Sequence, residues 1–427
     1  MKPVFGLADG NNFYVSCERV FSPYYRGKPT IILSNNDGCA VARSSEAKAL
    51  GIKMGEPYFK IERQCDQQAI EVLSSNYALY ADMSARMMSV LSEYVPSIEV
   101  YSIDECFLDL TGMPGDLAAL GRKARAAVAQ ELGLPICVGI APTKTLAKLA
   151  NRLAKKSPKA GGVVDLAGHP EHIPVALKRV DVGEVWGVGK KYAERLLGFN
   201  IRTAYDLAEM EPKWIKREFG VMLVRTAAEL RGEVAHELET QPDDRKSCTC
   251  SRSFGGATTN LEDVVAAISE FAQTAAARLR SEGMAAGHIQ VYALTNRFRQ
   301  DVVAGTLSAS VRLTPATNDS GRIVRAALAL ARGAKGYPEG CEWTKAGVNL
   351  TDLCRAGRIH QDLFSVVDTR KSDALMKALD AANSRYGRRA VGFGLATGGD
   401  EAEWRMKREK LSPSWTTRWE DVPRVKA

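Results

Sequence analysis

The chain has 427 residues, more than one compact core accommodates, so several domains are expected. Hydrophobic residues make up 45% and charged residues 25%, and no segment approaches the ~20 apolar residues of a membrane span; with no signal-like N-terminus either, a cytoplasmic protein is expected. The net charge of +8 leans toward a polyanionic partner.

Residues 1–165 alternate strands and helices. Residues 4–8 predict a short apolar strand ending at Asp9. Residues 29–33 predict another, stopped by the turn formers Ser34-Asn35-Asn36-Asp37-Gly38. Helical composition follows at 44–50 and 78–93. Residues 98–103 and 106–110 flank Asp104-Glu105, as a hairpin or as one strand through a bulge. A helix over 117–132, a buried strand over 136–140 and a basic helix over 143–156 complete this part. Residues 166–240 have helical spacing and no convincing strand. From 250 to 353 the order is strand, helix, two strands, helix, strand. Its first helix repeats apolar residues at 3–4 spacing (Leu261, Val264, Val265, Ile268, Phe271, Ala272, Ala275, Leu279), which predicts a small α+β domain. After Cys354 the pattern becomes a polar, partly helical tail.

Nine cysteines are scattered without a Cys-x-x-Cys pair, so reduced, mostly buried thiols are expected. His169-Pro170-Glu171-His172 reads as loop: the proline denies it a helical ligand pair, and a structural zinc site normally offers four ligands.

Asp9 at one strand end and Asp104-Glu105 between two others are candidates for a divalent-metal site. Mg²⁺ prefers hard oxygen ligands, and two such ions can clamp the attacking and leaving oxygens of a phosphoryl transfer. The alternative is a turn at Asp9 and a solvated hairpin tip at Asp104-Glu105. The stretch Asp9-Gly10-Asn11-Asn12-Phe13-Tyr14-Val15-Ser16-Cys17-Glu18, with Tyr101-Ser102-Ile103-Asp104-Glu105, resembles the two acidic motifs of Y-family DNA polymerases. The resemblance covers roughly residues 3–353. It implies that Asp9, Asp104 and Glu105 are catalytic and hold two Mg²⁺ ions, with the Gly10 carbonyl as a further ligand. It also implies that Phe13-Tyr14 lies under the incoming nucleotide, Tyr14 being the gate against a 2′-hydroxyl.

Basic residues must neutralise a triphosphate. Residues 42–51 resemble the family's fingers helix and offer Lys48 and Arg43. The family often has Arg where Lys48 stands and Tyr where Ser45 stands. Residues 142–156 resemble the palm helix whose last lysine, here Lys155, reaches the nucleotide, with Lys148 assigned to DNA. Trp186-Gly187-Val188-Gly189-Lys190-Lys191 opens a helix after a turn, and N–H groups at such an end bind phosphate without reading sequence. It resembles the family's helix–hairpin–helix, so Gly187, Gly189 and Lys190 are DNA-binding candidates. Ser251-Arg252-Ser253-Phe254-Gly255 resembles the first strand of the little finger, with Arg252 toward DNA.

The fold expected is a multidomain α/β and α+β right hand. It has a palm at 1–165 with fingers inserted at about 20–76, a helical thumb at 166–240, a little finger at 246–353 and a C-terminal tail at 354–427. Leu33-Ser34-Asn35-Asn36-Asp37-Gly38-Cys39 and the tail around Trp404 and Trp419 are similar to the UmuC-like branch. That likeness implies an error-prone translesion polymerase of the SOS response, nucleoid-associated. It would act on primer-template DNA and deoxynucleoside triphosphates, with a processed UmuD-type dimer and a RecA filament as partners. His360-Gln361-Asp362-Leu363-Phe364 resembles a sliding-clamp peptide, through His360, Gln361, Leu363 and Phe364. Tryptophan and arginine are enriched at interface hot spots, so the tail reads as a partner surface; the alternative is a tail packed on its own domain. A catalytically inactive DNA-binding scaffold of the same ancestry and a palm-based cyclase are the rival functions.

Overall fold

The computed structural model describes residues 2–239, 243–296, 298–299, 301–359, 369–387, 390–393 and 405–423. The chain divides into two compact units, one of residues 1–34, 38–242 and 410–427, the other of residues 35–37 and 243–409.

The first unit begins β1 (Phe5–Gly10), α1 (Phe13–Phe21), β2 (Thr30–Leu33), β3 (Ala40–Arg43), α2 (Ser45–Ala49), α3 (Tyr58–Gln67), β4 (Glu71–Ser74) and α4 (Tyr77–Ser92). It continues with β5 (Ile98–Val100), β6 (Glu105–Asp109), α5 (Leu117–Leu132), β7 (Ile136–Ala141), α6 (Lys144–Lys156) and β8 (Val163–Asp165). Strands order as β5-β6-β1-β7-β8 in one sheet. Strands β1 and β7 are buried at every position because both faces are covered. Leu7 and Phe107 join the core under α6, while Ala8, Cys106, Leu108 and Val138 face the core of α4 and α5. The segment around Asp104-Glu105 is the hairpin of the two alternatives: β5 and β6 pair antiparallel, with Val100 opposite Cys106.

A second sheet, β3-β2-β4, has its own core of Ile31, Leu33, Ala40, Ala47, Ile52, Ile61, Cys65 and Ile70. Sequence periodicity missed α1, β3, α3 and β4. Each of the two strands has only four residues. Helix α3 buries only Ile61 and Cys65, and α1 starts at the left-handed Asn12 (φ 49°) with no side-chain cap, so neither carries the usual signal.

Five helices follow: α7 (Ile173–Lys178), α8 (Lys190–Gly198), α9 (Ala204–Ala208), α10 (Pro212–Phe219) and α11 (Val221–Leu230). Their apolar faces, among them Leu177, Leu196, Leu207, Ile215 and Leu223, share one core with Leu7, Phe107 and Leu146. Buried Glu229 of α11 ties them to the start of α6. Its Oε2 accepts from the Thr145 N–H at 2.9 Å and the Thr145 hydroxyl at 2.6 Å, satisfying an orphan donor of the helix N-terminus.

The second unit contains β9 (Ser247–Thr258), α12 (Leu261–Ser281), β10 (Met284–Thr295), β11 (Thr306–Thr317), α13 (Ser320–Gly333), β12 (Trp343–Arg355) and α14 (Thr369–Tyr386). The four strands form an antiparallel sheet, β11-β10-β12-β9, and α12 and α13 bury Val264, Ile268, Phe271, Ile323 and Val324 against Ile289, Val291 and Val348. These strands are twelve or thirteen residues long. Their second face keeps exposed and half-buried polar residues, so the apolar signal stops short of the hydrogen-bonded ladder. All nine cysteines are free, seven of them buried.

Helix α6 approaches the sheet closely at one position. A Cβ on Gly139 of β7 would lie 2.1 Å from the Asn151 nitrogen and 2.3 Å from the Ala147 oxygen. Asn151 Nδ2 also donates to the Leu7 carbonyl (3.1 Å) and the Cys137 carbonyl (2.7 Å), joining the helix to β1 and β7. Backbone on both sides leaves nothing that can rotate away. Gly139→Ala is expected to destabilise the protein by about 3 kcal/mol, the upper part of the overpacking range. A denaturant midpoint unchanged from wild type would contradict this contact.

Candidate active site

Three carboxylates meet at one end of the main sheet. Asp9 lies directly opposite Glu105 in the β1–β6 register, and the Gly10 N–H donates to the Asp104 carbonyl at 2.8 Å. Ser102 sets up the second pair: its hydroxyl donates to Asp104 Oδ1 (2.7 Å) and accepts from the Glu105 N–H (3.1 Å). A serine two residues before an aspartate was visible in the sequence, but its orienting role was not. Gly10 has no side chain where a Cβ would meet the Phe13 ring at 2.9 Å, so Phe13 packs into the core directly behind the strand end.

Helix α6 supplies the countercharge. Lys155 Nζ lies 2.5 Å from Asp9 Oδ1, and Lys148 Nζ lies 2.8 Å from Glu105 Oε2. These lysines are seven residues apart, two turns, and so on one helix face. Burial pushes the Asp9 carboxyl up to about 7; Lys155 opposes the shift and Glu105 adds to it. For Glu105, burial also acts upward, but the bond from Asp9 and the Lys148 and Lys155 cations outweigh it and hold this carboxyl below its ordinary value. Lys148 had been expected to face DNA. It is instead committed to Glu105, with its ammonium 4.2 Å from the Tyr101 ring centre and 5.5 Å from that of Trp186.

A cavity of about 590 Å³ opens beside the carboxylates, lined among others by Asp9, Tyr14, Lys48, Met54, Asp104 and Lys155. Lys48 Nζ lies 2.5 Å from Asn12 Oδ1, a partner that sequence reasoning did not assign. Burial, then the cations of Arg43 and Lys155, push the Lys48 ammonium below its ordinary value. Cations gathered at a cost to one another favour an anionic occupant. Arg43 stands behind them, donating to the Ile52 carbonyl at 2.6 Å. Tyr14, half-buried, forms part of the wall, its ring stacked on Tyr80 at 4.3 Å and 13°.

The remaining candidates lie elsewhere in their units. Gly187 is left-handed (φ 87°) and Gly189 caps α8, with no side chain to block its open end. The Lys190 side chain is exposed, with Glu194 3.9 Å away. Arg252 is exposed on β9 of the second unit, opposite Ala346. His360, Gln361, Leu363 and Phe364 lie outside the described residues, as does Trp404. His169 and His172 stack on a 3-10 turn with Glu171 between them, but all three are exposed. Of the tail, Trp415 is stacked on Phe21 of α1 at 5.4 Å and 9°, as in the packed alternative, while Trp419 is 92% exposed.

The impB/mucB/samB family profile matches residues 8–152, and that family's C-terminal domain matches residues 245–363. A domain of unknown function matches residues 373–425. The chain is 43% identical to protein UmuC of Salmonella typhimurium, over 99% of this chain and 100% of the relative. It is 28% identical to DNA polymerase IV 1 of Bacillus subtilis, over 92% and 93%. A Y-family DNA polymerase chimera of Dbh and Dpo4 superposes with a TM-score of 0.63 at 21% identity, covering 84% of this chain and all of that one; this likeness establishes a shared fold.

The charge arrangement has a pH signature in metal-free buffer. Asp9, raised from 3.8 to about 7, is protonated in the folded state over a range where the unfolded chain has lost the proton. Stability therefore falls as pH rises through that window. Lys155 offsets part of the cost, so Lys155→Ala should steepen the fall in melting temperature between pH 5 and 7. The steepening is read against wild type, because Glu18, also raised to about 7, is common to both proteins. A slope no steeper than wild type would remove Lys155 from the charge balance of Asp9.

Proposed function

The chain belongs to the impB/mucB/samB family, and on that premise we propose that it is an error-prone translesion DNA polymerase working by two-metal nucleotidyl transfer. The observation that carries this is the register that sets Glu105 opposite Asp9, with Asp9 and Asp104 lining a cavity that also holds Lys48, Lys155 and Tyr14. An inactive DNA-binding scaffold would have no need of a buried carboxylate whose ionisation costs stability.

The donor set is oxygen-only and hard, and the Asp9 carboxyl, pushed up by burial, is short of positive charge. Both features fit Mg²⁺. Asp9, Asp104, Glu105 and the Gly10 carbonyl would hold two ions, which when bound supply Lewis acidity for in-line displacement at phosphorus. The chain's own residues do the rest. Ser102 fixes the Asp104 carboxylate. Lys48 and Lys155 lie where a triphosphate would reach the cavity and can neutralise it. Lys155, now 2.5 Å from Asp9 Oδ1, could equally donate to a phosphate oxygen in the cavity. Tyr14 forms a flat wall against which a 2′-hydroxyl would clash.

DNA contact is assigned to the open N-terminus of α8 at Gly187, Gly189 and Lys190, and to Arg252 of the second unit, none of which presents a base-reading pattern. Kinship supports, as part of this reading, service in the SOS response, association with the nucleoid, and work with a processed UmuD-type dimer and a RecA filament, and the 360–364 motif adds the sliding clamp. No helix among the described residues is long and apolar enough to cross a membrane.

Asp104→Ala should abolish primer extension in Mg²⁺ while leaving DNA binding near wild type; extension within about tenfold of wild type would overturn the assignment. Tyr14→Ala should lower the ratio of kcat/KM for deoxynucleotide over ribonucleotide by roughly a hundredfold, ~2.7 kcal/mol, the size of one steric contact. An unchanged ratio with both rates reduced would make Tyr14 a packing residue.

A further inference from the structure

The C-terminal segment reaches the wall of the nucleotide cavity through a buried chain of hydrogen bonds. Leu411 bridges to Ser74 at the end of β4, the Ser74 N–H donating to the Lys410 carbonyl at 2.8 Å. Asn76, the N-cap of α4, donates through Nδ2 to the Ser412 hydroxyl oxygen (3.0 Å) and to the Pro413 carbonyl (3.1 Å). The Ser412 hydroxyl in turn donates to Glu18 Oε1 at 3.0 Å. The same Oε1 accepts from the Tyr80 hydroxyl at 2.7 Å. Ser412 is 5% exposed, and Glu18 and Tyr80 are 0% exposed. The Tyr80 ring is the surface on which Tyr14 is stacked.

Each link has a physical consequence. Tyr80 is held by a buried hydroxyl, so its ring cannot turn without stranding that donor in the core. Glu18 is held in turn, with two donors on one oxygen and no partner on Oε2 among the described residues. Burial pushes its carboxyl up to about 7, and the Tyr80 and Ser412 hydroxyls oppose that shift. Ser412 is thus one of two supports for a carboxylate in the core, and it comes from the far end of the chain, 394 residues away. A steric gate discriminates only as well as its ring resists being pushed aside. The stiffness of Tyr14 depends on the floor beneath it.

We propose that Ser412 is a positioning residue: through Glu18 and Tyr80, the C-terminal segment holds the Tyr14 ring in place and sets how strictly the enzyme excludes ribonucleotides. The inference rests on Tyr14 being the sugar gate. The segment would then serve selection of the sugar as well as any contact with partner proteins, and the exposed Trp419 lies seven residues beyond Ser412, on the same strap.

The test uses full-length protein and steady-state incorporation of matched dNTP and rNTP opposite one template base. The ratio of the two kcat/KM values is insensitive to the fraction of correctly folded enzyme, so a change that merely lowers stability leaves it alone. Ser412→Ala should lower the ratio by about tenfold, mainly through a lower KM for the ribonucleotide, with kcat for the deoxynucleotide within about twofold of wild type. Ser412→Thr, which keeps the hydroxyl, should restore it. Tyr80→Phe removes only the anchoring hydroxyl and should reproduce the loss; it also serves if Ser412→Ala folds poorly. In a Tyr14→Ala background, Ser412→Ala should have no further effect on the ratio, because the group it positions is gone. If Tyr14→Ala collapses the ratio while Ser412→Ala and Tyr80→Phe leave it at the wild-type value, the positioning role is refuted and the gate stands. If Tyr14→Ala itself leaves the ratio unchanged, the gate is wrong and the positioning role falls with it.

Discussion

The arrangement of the first unit turns on one electrostatic conflict: Asp9 and Glu105 face each other across a β-ladder at a partly buried sheet end. Two like charges there are unfavourable unless positive charge is brought to them, since burial weakens solvent screening. The chain answers with Lys155 and Lys148 on one face of α6. Their ammonium groups reach the carboxylates only because the helix lies close on the strands, and that closeness depends on the missing side chain of Gly139 and on Asn151, which bonds to the backbone of both β1 and β7. The conflict is resolved incompletely. Asp9 stays raised to about 7, its carboxylate left short of positive charge.

The second cationic group follows from the same logic. Lys48 comes from α2, beside the small β3-β2-β4 sheet, and lines the same cavity as Lys155. Neither ammonium gains from the other, and Lys48 is pushed below its ordinary value by burial and by its cationic neighbours. An anionic occupant removes this repulsion just as a divalent cation removes that between the carboxylates. Like charges are thus gathered in the site at a cost in stability. A ligand combining both charges, a metal-bound triphosphate, satisfies both halves at once.

Much of this could be read from the sequence, and the exceptions have physical causes. The strands carrying Asp9 and Glu105 are continuous apolar runs because both sheet faces are covered, so β1, β6 and β7 stood out. Helix α6 showed its lysines and its apolar face together. Strands β3 and β4 and helix α3 did not stand out, because each strand is four residues long with little apolar signal and α3 buries only two side chains. Lys148 was placed toward DNA for a plain reason. Seven-residue spacing puts it on the face of Lys155, but only the register of β1 against β6 reveals that Glu105 is there to meet it. Asn12 and Ser102 act through contacts that depend on a left-handed turn and a hairpin end, which composition does not record.

The C-terminal segment marks the limit of local reading most clearly. Its tryptophans and basic residues suggest a surface for partners, and Trp419 is exposed. Trp415 does not, being stacked on Phe21 of α1, and Ser412 is buried beside Glu18. Neither placement could be inferred from the tail itself, because the partner in each case lies near the opposite terminus. From the other side the signal was equally incomplete. Glu18 in an apolar helix, five residues from the end of the Asp9-Gly10-Asn11-Asn12-Phe13 run, is a buried acid that needs donors, and Tyr80 supplies only one. A buried carboxylate with too few local partners therefore predicts a distant polar residue to complete it, as surely as an apolar face predicts a packing partner. Here the completion falls to Ser412, and it places the C-terminal segment two hydrogen bonds and one ring stack from the wall of the cavity beside Asp9 and Asp104.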